Sequence, residues 1–297
     1  MKSNFIISEI CDMQLRKATR KKAKIRLGLS AVSGGGKTYS SILVAKGLCG
    51  DLSKVAIIDT ENGSADLYAH LGDFNVVTLT APFTPERYIE AIKSCEKAGM
   101  EVIIVDSISH EWDGKGGCLE IVESLGGKYQ DWAKVTPRHQ AFIDAIIHSP
   151  SHVITTVRRK QDYEMIKEGN KVRIEKAGLK EITREGFEYE LTINLELDTQ
   201  HNATASKDRT QLFMGKPAFV PSEKTGELIA AWCEQGEESF NIKPGSEWYN
   251  KVDDCTTQKE LVELYQKNKA EVDSNPLLQQ LISNRRNQIN GKTLSAA

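Results

Sequence analysis

Short, unbroken apolar runs alternate with longer amphipathic stretches through the first half of the chain. LGLSAV (27–32) reads as a buried strand, and Thr38 to Leu48 as the helix that follows it. VAIID (55–59), EVIIVD (101–106) and HVITTV (152–157) are further apolar runs of strand length. Between them, TPERYIEAIKSCEKAG carries helix signals: Thr84 as N-cap, Pro85 in the first turn, and Ile89, Ile92 and Cys95 on one face. TPRHQAFIDAIIHS repeats the pattern, with Thr136 and Pro137 as cap and first turn and Phe142, Ala145 and Ile146 inward. Strands that are apolar throughout, separated by helices, predict an α/β fold with a mainly parallel sheet covered on both faces.

After residue 186 the pattern changes. GFEYELTINLELD alternates strictly, placing Phe187, Tyr189, Leu191, Ile193, Leu195 and Leu197 on one face. That alternation predicts a half-buried antiparallel strand, which DTQHNA turns into a second strand around TASKDR. Past Trp232 the chain becomes acidic and loop-like, then closes in two helical patterns, TTQKELVELYQKN and LLQQLISNRRNQI. The expected organisation is a core over 1–236 with a basic lead-in (1–26), a linker over 237–250 and a helical appendage over 251–297.

Composition adds little direction. The net charge of −2 over 297 residues gives no global attraction to nucleic acid, so any such contact must come from local patches. One candidate is RKATRKKAKIR (16–26), with seven basic residues and no acid, which fits a solvated helix face as well as a nucleic-acid contact. No apolar run approaches the roughly 20 residues that span a bilayer, and the N-terminus lacks signal architecture. A cytoplasmic protein with no membrane partner is therefore expected. The six cysteines contain no C-x-x-C pair and the histidines show no ligand spacing; His110-Glu111 opens like H-E-x-x-H, but Gly114 stands at the fifth position. Reduced, mostly buried thiols are expected, with neither a zinc site nor a disulfide framework.

Chemistry concentrates around AVSGGGKTYS (31–40). Ser33, Gly34, Gly35, Gly36, Lys37, Thr38 and Tyr39 stand where a phosphate-binding loop leaves a strand and opens a helix. In such a loop backbone N–H groups wrap the phosphates, the lysine reaches the terminal oxygens and the following hydroxyl binds Mg²⁺. Ala31 departs from G-x-x-x-x-G-K-[ST], a strain only if its φ is positive. EVIIVD then places Asp106 at a strand end as the Mg²⁺ carboxylate. Past the second strand, Asp59 suits a turn cap and Glu61 a water-orienting base; Glu111 is the rival base.

The order of these parts, with VITTVRRK after them, resembles the RecA-type recombinase core. The resemblance implies a RecA-like P-loop NTPase core with an antiparallel hairpin extension and a small C-terminal helical appendage. It implies ATP and Mg²⁺ as cofactors, Glu61 as the residue that activates water, and Thr156 at the sensor position where RecA proteins carry glutamine. Arg158, Arg159 and Lys160 then lead into what is similar to the family's DNA-binding loop. Between Arg158 and Lys180 lie eight basic and four acidic residues with Tyr163 the only aromatic, a composition shared by single-strand grooves and solvated loops. SGGGKTYS, DSISHEW, VRRKQDYEM, REGFEYELTINLELD and SKDRT together resemble the phage-encoded RecA-like ATPases of the Sak type, over about Lys24 to Trp232.

That likeness implies recombination or annealing on single-stranded DNA, a homo-oligomer in ring or filament form, and a single-strand-binding protein as a partner. It also places Lys207 and Arg209 in a neighbouring subunit's active site, although S-K-D-R alone equally describes an exposed charged turn. Trp112 and Trp132 fit base stacking, core or oligomer contacts alike. Two other readings stay open at this level: a P-loop kinase of small molecules, and a nucleotide-switched loader or scaffold with negligible turnover.

Overall fold

The computed structural model describes residues 20–168, 171–236 and 247–275, together with 278–279, 281–283, 285–286 and 289. Contacts divide the chain into a unit of residues 22–235 and a second unit made of 1–21 and 236–297. The first unit holds eight strands: β1 Arg26–Ala31, β2 Val55–Asp59, β3 Asn75–Thr78, β4 Val102–Asp106, β5 His152–Glu168, β6 Lys171–Glu181, β7 Ile193–Leu197 and β8 Ala203–Asp208. Its helices are α1 Lys37–Cys49, α2 Pro85–Lys97, α3 Ser109–Asp113, α4 Cys118–Ser124, α5 Trp132–Ile147, α6 Phe187–Glu190 and α7 Glu223–Cys233.

The sheet runs β3-β2-β4-β5-β1-β7-β8. Its first six strands are parallel, β8 is antiparallel to β7, and β6 pairs antiparallel with the outer part of β5. Adjacent residues of each inner strand face opposite layers, which is why both kinds of position must be apolar. On one side Leu27, Leu29, Ile57, Ile104 and Ile154 join Ile42 of α1 and Ile229 of α7 in a buried cluster. On the other, Ile58, Ile103, Val105, Val153 and Val157 join Tyr88 and Ile92 of α2 and Phe142 and Ile146 of α5. Each such side chain contributes about 1.5–3 kcal/mol on burial. The α/β reading thus holds, with a mainly parallel mixed sheet flanked by helices, consistent with a P-loop NTPase core.

Three expectations need correction. Phe187 and Tyr189 do not extend a strand: Gly186, with φ 93°, opens the helical turn α6, and Tyr189 is 67% exposed. The strand proper is only Ile193–Leu197, buried on both faces and parallel to β1 on one side. Helix α5 starts at Trp132, so Pro137 lies inside it and Thr136 is not its cap. Finally, the segment expected as a polar loop after Lys160 is a long antiparallel hairpin, β5–β6, pairing Arg159 with Glu181 out to Glu168 with Lys171. In the basic run 16–26, positions 16–19 lie outside the described residues and 20–25 form no helix. Arg26 is buried, its guanidinium donating to the carbonyls of Ile147, the last residue of α5, and of Ser149 and Ser151 beyond it.

Helices α1 and α7 meet at glycines. A Cβ on Gly47 would lie 1.9 Å from the Glu223 carbonyl oxygen, and one on Gly226 would lie 2.1 Å from that of Val44. Helix propensity alone favours Gly47→Ala by about 1 kcal/mol. The packing reverses the sign: the added methyl meets backbone, and overpacking costs about 1–3 kcal/mol. Denaturant unfolding of Gly47→Ala should show net destabilisation, and an increase in stability would contradict this packing.

His152 gives a pH dependence. Its Nδ1 accepts from the Ile25 N–H at 3.2 Å, and burial, reinforced by Lys24 and Arg26, lowers its pKa from 6.5 to about 3. The unfolded chain therefore binds this proton first, so stability is fully present above about pH 6.5 and declines as pH falls toward 3. Between pH 7.5 and 5 the loss is about 2 kcal/mol. Unfolding curves at those two pH values should differ by that much less in His152→Asn, whose amide oxygen can accept the same bond; equal pH slopes would contradict the assignment.

The second unit contains α8 Glu247–Asp253, α9 Gln258–Lys267 and α10 Lys269–Ser274. Thr257 and Glu260 form a reciprocal capping box at α9, and Val252, Cys255 and Leu261 form a small core. Helix α8 begins within the 237–250 stretch expected as linker; positions 237–246 lie outside the described residues. Among the described residues no helix is long and apolar enough to cross a membrane, and Cys49, Cys95, Cys118, Cys233 and Cys255 take part in no disulfide.

Candidate active site

Parallel strands end on a common edge, and here three ends converge beside β5, which runs on past them. The register pairs Ala31 with Arg158, Val105 with Thr155, and Asp59 with Asp106, so the loops after β1, β2 and β4 open beside one stretch of β5. In open α/β sheets ligands sit at that edge.

The glycine loop leaves β1 at Ala31, the last residue of an extended strand, so no positive φ strains it. A Cβ on Gly35 would come within 2.7 Å of the Ala31 methyl; the glycine at 35 is what accommodates the alanine at 31. Gly34 (φ 77°) and Gly36 (φ 82°) take left-handed conformations, which a side chain would strain. This loop enters α1 at Lys37. Lys37 is only 8% exposed, and its Nζ donates to the carbonyls of Ala31 (3.4 Å) and Val32 (3.2 Å). Burial lowers its pKa, and the charges of Asp106 and Glu61 partly offset this.

Asp106 ends β4 almost fully buried. Its two oxygens accept from Thr38 Oγ1 and Thr156 Oγ1, each at 2.5 Å. Burial pushes its pKa up despite both bonds. Thr156, expected at a sensor position, is therefore turned to the carboxylate. The side chain that β5 sends into the cavity is Arg158, two residues on.

Arg158 Nε donates to Glu61 Oε1 at 2.8 Å. Burial alone would raise the Glu61 pKa, but the Arg158 bond and charge, with Lys37 and His110, outweigh it and hold the carboxyl below its ordinary value. Glu61 is thus ionised and held in place, which suits orienting a water better than removing its proton outright. Asp59 caps the same loop, accepting from Glu61 N (2.6 Å) and Ala65 N (3.0 Å). The rival Glu111 is 1% exposed and bonded to His139 and Cys118, outside the cavity.

A cavity of about 470 Å³ gathers Ser33, Gly34, Gly36, Lys37, Thr38, Tyr39, Ser40, Glu61 and Arg158. Ser64, Tyr68, His201, Val220 and Pro221 complete its wall, and none of these was foreseen from sequence. His201 carries the one legible signal, the D-T-Q-H-N turn between β7 and β8, whose imidazole lies where a Gly36 side chain would be. Tyr39 and Tyr68 set their rings 5.8 Å apart at 58°.

The site passes a chemical test for a nucleotide and a hard cation. Ser64 Oγ is buried at the cavity wall with no hydrogen-bond partner. Lys37 is a buried cation whose hydrogen bonds go to carbonyls rather than to a carboxylate. Thr38 and Asp106 offer oxygen donors of the kind Mg²⁺ takes.

The remaining candidates lie elsewhere. Arg159 pairs with Glu196 (2.7 Å) and donates to the Leu179 carbonyl, so it is turned inward; Lys160 is exposed. Lys207 and Arg209 both donate to the Tyr189 carbonyl, and Lys207 lines a different cavity, with Arg159, Glu181 and Asn194. Neither borders the glycine loop of its own chain.

Among known proteins, a family model described as an AAA domain matches residues 23–224. No curated protein matches the chain.

Proposed function

The chain belongs to the AAA-domain family, an ATPase-like nucleotide-binding class, and we propose that it hydrolyses ATP while acting on single-stranded DNA, in annealing or strand exchange. The observation that carries the reading is the Glu61–Arg158 pair, set in the same cavity as the glycine loop and located at the root of the β5–β6 hairpin.

In this account the N–H groups of Ser33 to Lys37 cradle the phosphates and Lys37 turns from its carbonyls to the terminal oxygens. Thr38 and Asp106 hold Mg²⁺, which when bound neutralises charge on the β- and γ-phosphates. Glu61 orients the attacking water, Arg158 keeps Glu61 ionised, and Tyr39 and Tyr68 offer ring faces to the base. Lys207 and Arg209 act on a neighbouring subunit's nucleotide, which makes the working form an oligomer.

The DNA assignment draws on the hairpin. Lys160 and Lys180 are direct cross-strand partners, both exposed. Like charges so placed repel, a cost that a bound phosphate removes. Because Arg158 precedes this pair by two residues, a strand held there shares one β-strand with the catalytic carboxylate's partner. A single-strand-binding protein that presents such DNA fits as a partner. ATP turnover with and without single-stranded oligonucleotide tests the reading: stimulation that disappears in Lys160→Ala/Lys180→Ala supports it. DNA-independent phosphoryl transfer to a metabolite would overturn it.

A further inference from the structure

Away from the cavity, the described residues bring together a trio of potential metal ligands. Glu111 on α3, Cys118 at the start of α4 and His139 on α5 place their donor atoms within 4.8 Å of one another. Cys118 Sγ lies 3.1 Å from Glu111 Oε1, and His139 Nδ1 lies 3.0 and 3.1 Å from the two oxygens of the same carboxylate. All three are buried, at 1%, 0% and 4% exposure.

We propose that Glu111, Cys118 and His139 form a metal site that takes zinc or a similar borderline-soft divalent ion. Thiolate plus imidazole selects against Mg²⁺ and Ca²⁺, and a carboxylate completes a donor set that zinc accepts. Zinc bonds of ~2.0–2.3 Å in a tetrahedron separate the donors by roughly 3.3–3.6 Å. The Glu111 oxygens lie somewhat inside that span, 3.1 Å from Cys118 Sγ and 3.0 and 3.1 Å from His139 Nδ1, and all three donor atoms lie within 4.8 Å of one another. As the zinc–sulfur bond forms, the thiol proton leaves to solvent. Three protein ligands leave a fourth position for water or an exogenous donor.

The backbone is shaped to bring the ligands together. Between Glu111 and Cys118 the chain doubles back so tightly that a Cβ on Gly114 would lie 2.6 Å from the His110 carbonyl oxygen, and one on Gly117 would lie 2.7 Å from that of Glu111. Around the cluster, Trp112 stacks on Trp132 at 5.4 Å and meets His139 edge-on at 5.5 Å. Val122 and Val135 complete an apolar jacket. An enclosure of this kind limits water's competition for the ligands. Sequence spacing could not reveal the site, because its ligands come from three separate helices rather than from a C-x-x-C or H-x-x-x-H repeat. A metal here would tie α4 and α5 to α3, which starts three residues after Asp106. The site is independent of the nucleotide reading, and so is its test.

The full-length chain, stripped by chelator and reloaded with Co²⁺, should show a thiolate-to-cobalt charge-transfer band, and zinc should raise its melting temperature. In Cys118→Ser the hydroxyl still donates to Glu111, so a merely hydrogen-bonded trio would survive. That variant should lose the band and bind zinc more weakly by at least the roughly 10–100-fold that loss of a supporting partner costs. The wild-type zinc edge should report a first shell of one sulfur with nitrogen and oxygen, a readout that needs no variant. A melting temperature indifferent to zinc, or a cobalt spectrum identical in wild type and Cys118→Ser, would overturn the proposal.

Discussion

Glu61→Gln should lower ATP turnover by about 10²–10⁴-fold, the range that a positioned base or water-orienting group supplies, while leaving nucleotide binding intact. The amide keeps the size of the carboxylate and can still accept from Arg158 Nε, now 2.8 Å from Glu61 Oε1, so the loop has no reason to rearrange. What it loses is the negative charge that polarises a water. Lys37, Thr38 and Asp106 are untouched, so a fluorescent nucleotide should bind with near wild-type affinity. Single-turnover hydrolysis beside that binding measurement separates the two steps. Unchanged hydrolysis would remove Glu61 from the mechanism and return attention to other groups in the cavity.

The second large effect concerns Lys207 and Arg209. Both point to the Tyr189 carbonyl, and neither reaches the glycine-loop cavity of its own chain. If their work is done on a neighbour's nucleotide, Lys207→Ala/Arg209→Ala should lose about 10³–10⁵ in rate, the worth of such cations where they stabilise a transferring phosphoryl group. Lys37→Ala subunits should also be inactive while keeping Lys207 and Arg209 intact. Mixing the two should restore part of the activity, because some interfaces then combine an intact loop with an intact finger. No recovery at any mixing ratio would mean that each chain hydrolyses alone and that S-K-D-R is a surface turn.

The parallel strands were legible because a strand covered on both faces must be apolar at consecutive positions, as VAII and VIIV are before their terminal aspartates. The same physics hid the error at 187–191. Alternating Phe187, Tyr189 and Leu191 mimic a half-buried strand, but Gly186 enters a left-handed conformation and turns the chain into α6. Pro137 misled for a comparable reason: proline favours a first turn, yet Trp132, Val135, His139 and Phe142 already follow helical spacing ahead of it and behind it. Edge strand β3, half-exposed and four residues long, has too little pattern to announce itself.

At the candidate site, the loop, Asp106 and Glu61 were readable as local words. Arg158 was not. In VRRK three cations look equivalent, but a strand sends neighbours to opposite faces. Thr156 and Arg158 therefore reach Asp106 and Glu61, while Arg159 goes to Glu196 on the other side. The far wall (His201, Val220, Pro221) comes from positions more than 160 residues beyond the loop, and no local pattern connects them.

A structure of the chain with a non-hydrolysable ATP analogue and Mg²⁺ would show whether the glycine loop and Glu61 meet at one bound nucleotide. Lys37 should lie on the terminal phosphates and the Glu61 carboxylate within one water of the γ-phosphate, with Arg158 still close enough to hold it. An analogue seated in the glycine loop while Glu61 faces away from its terminal phosphate would contradict that arrangement.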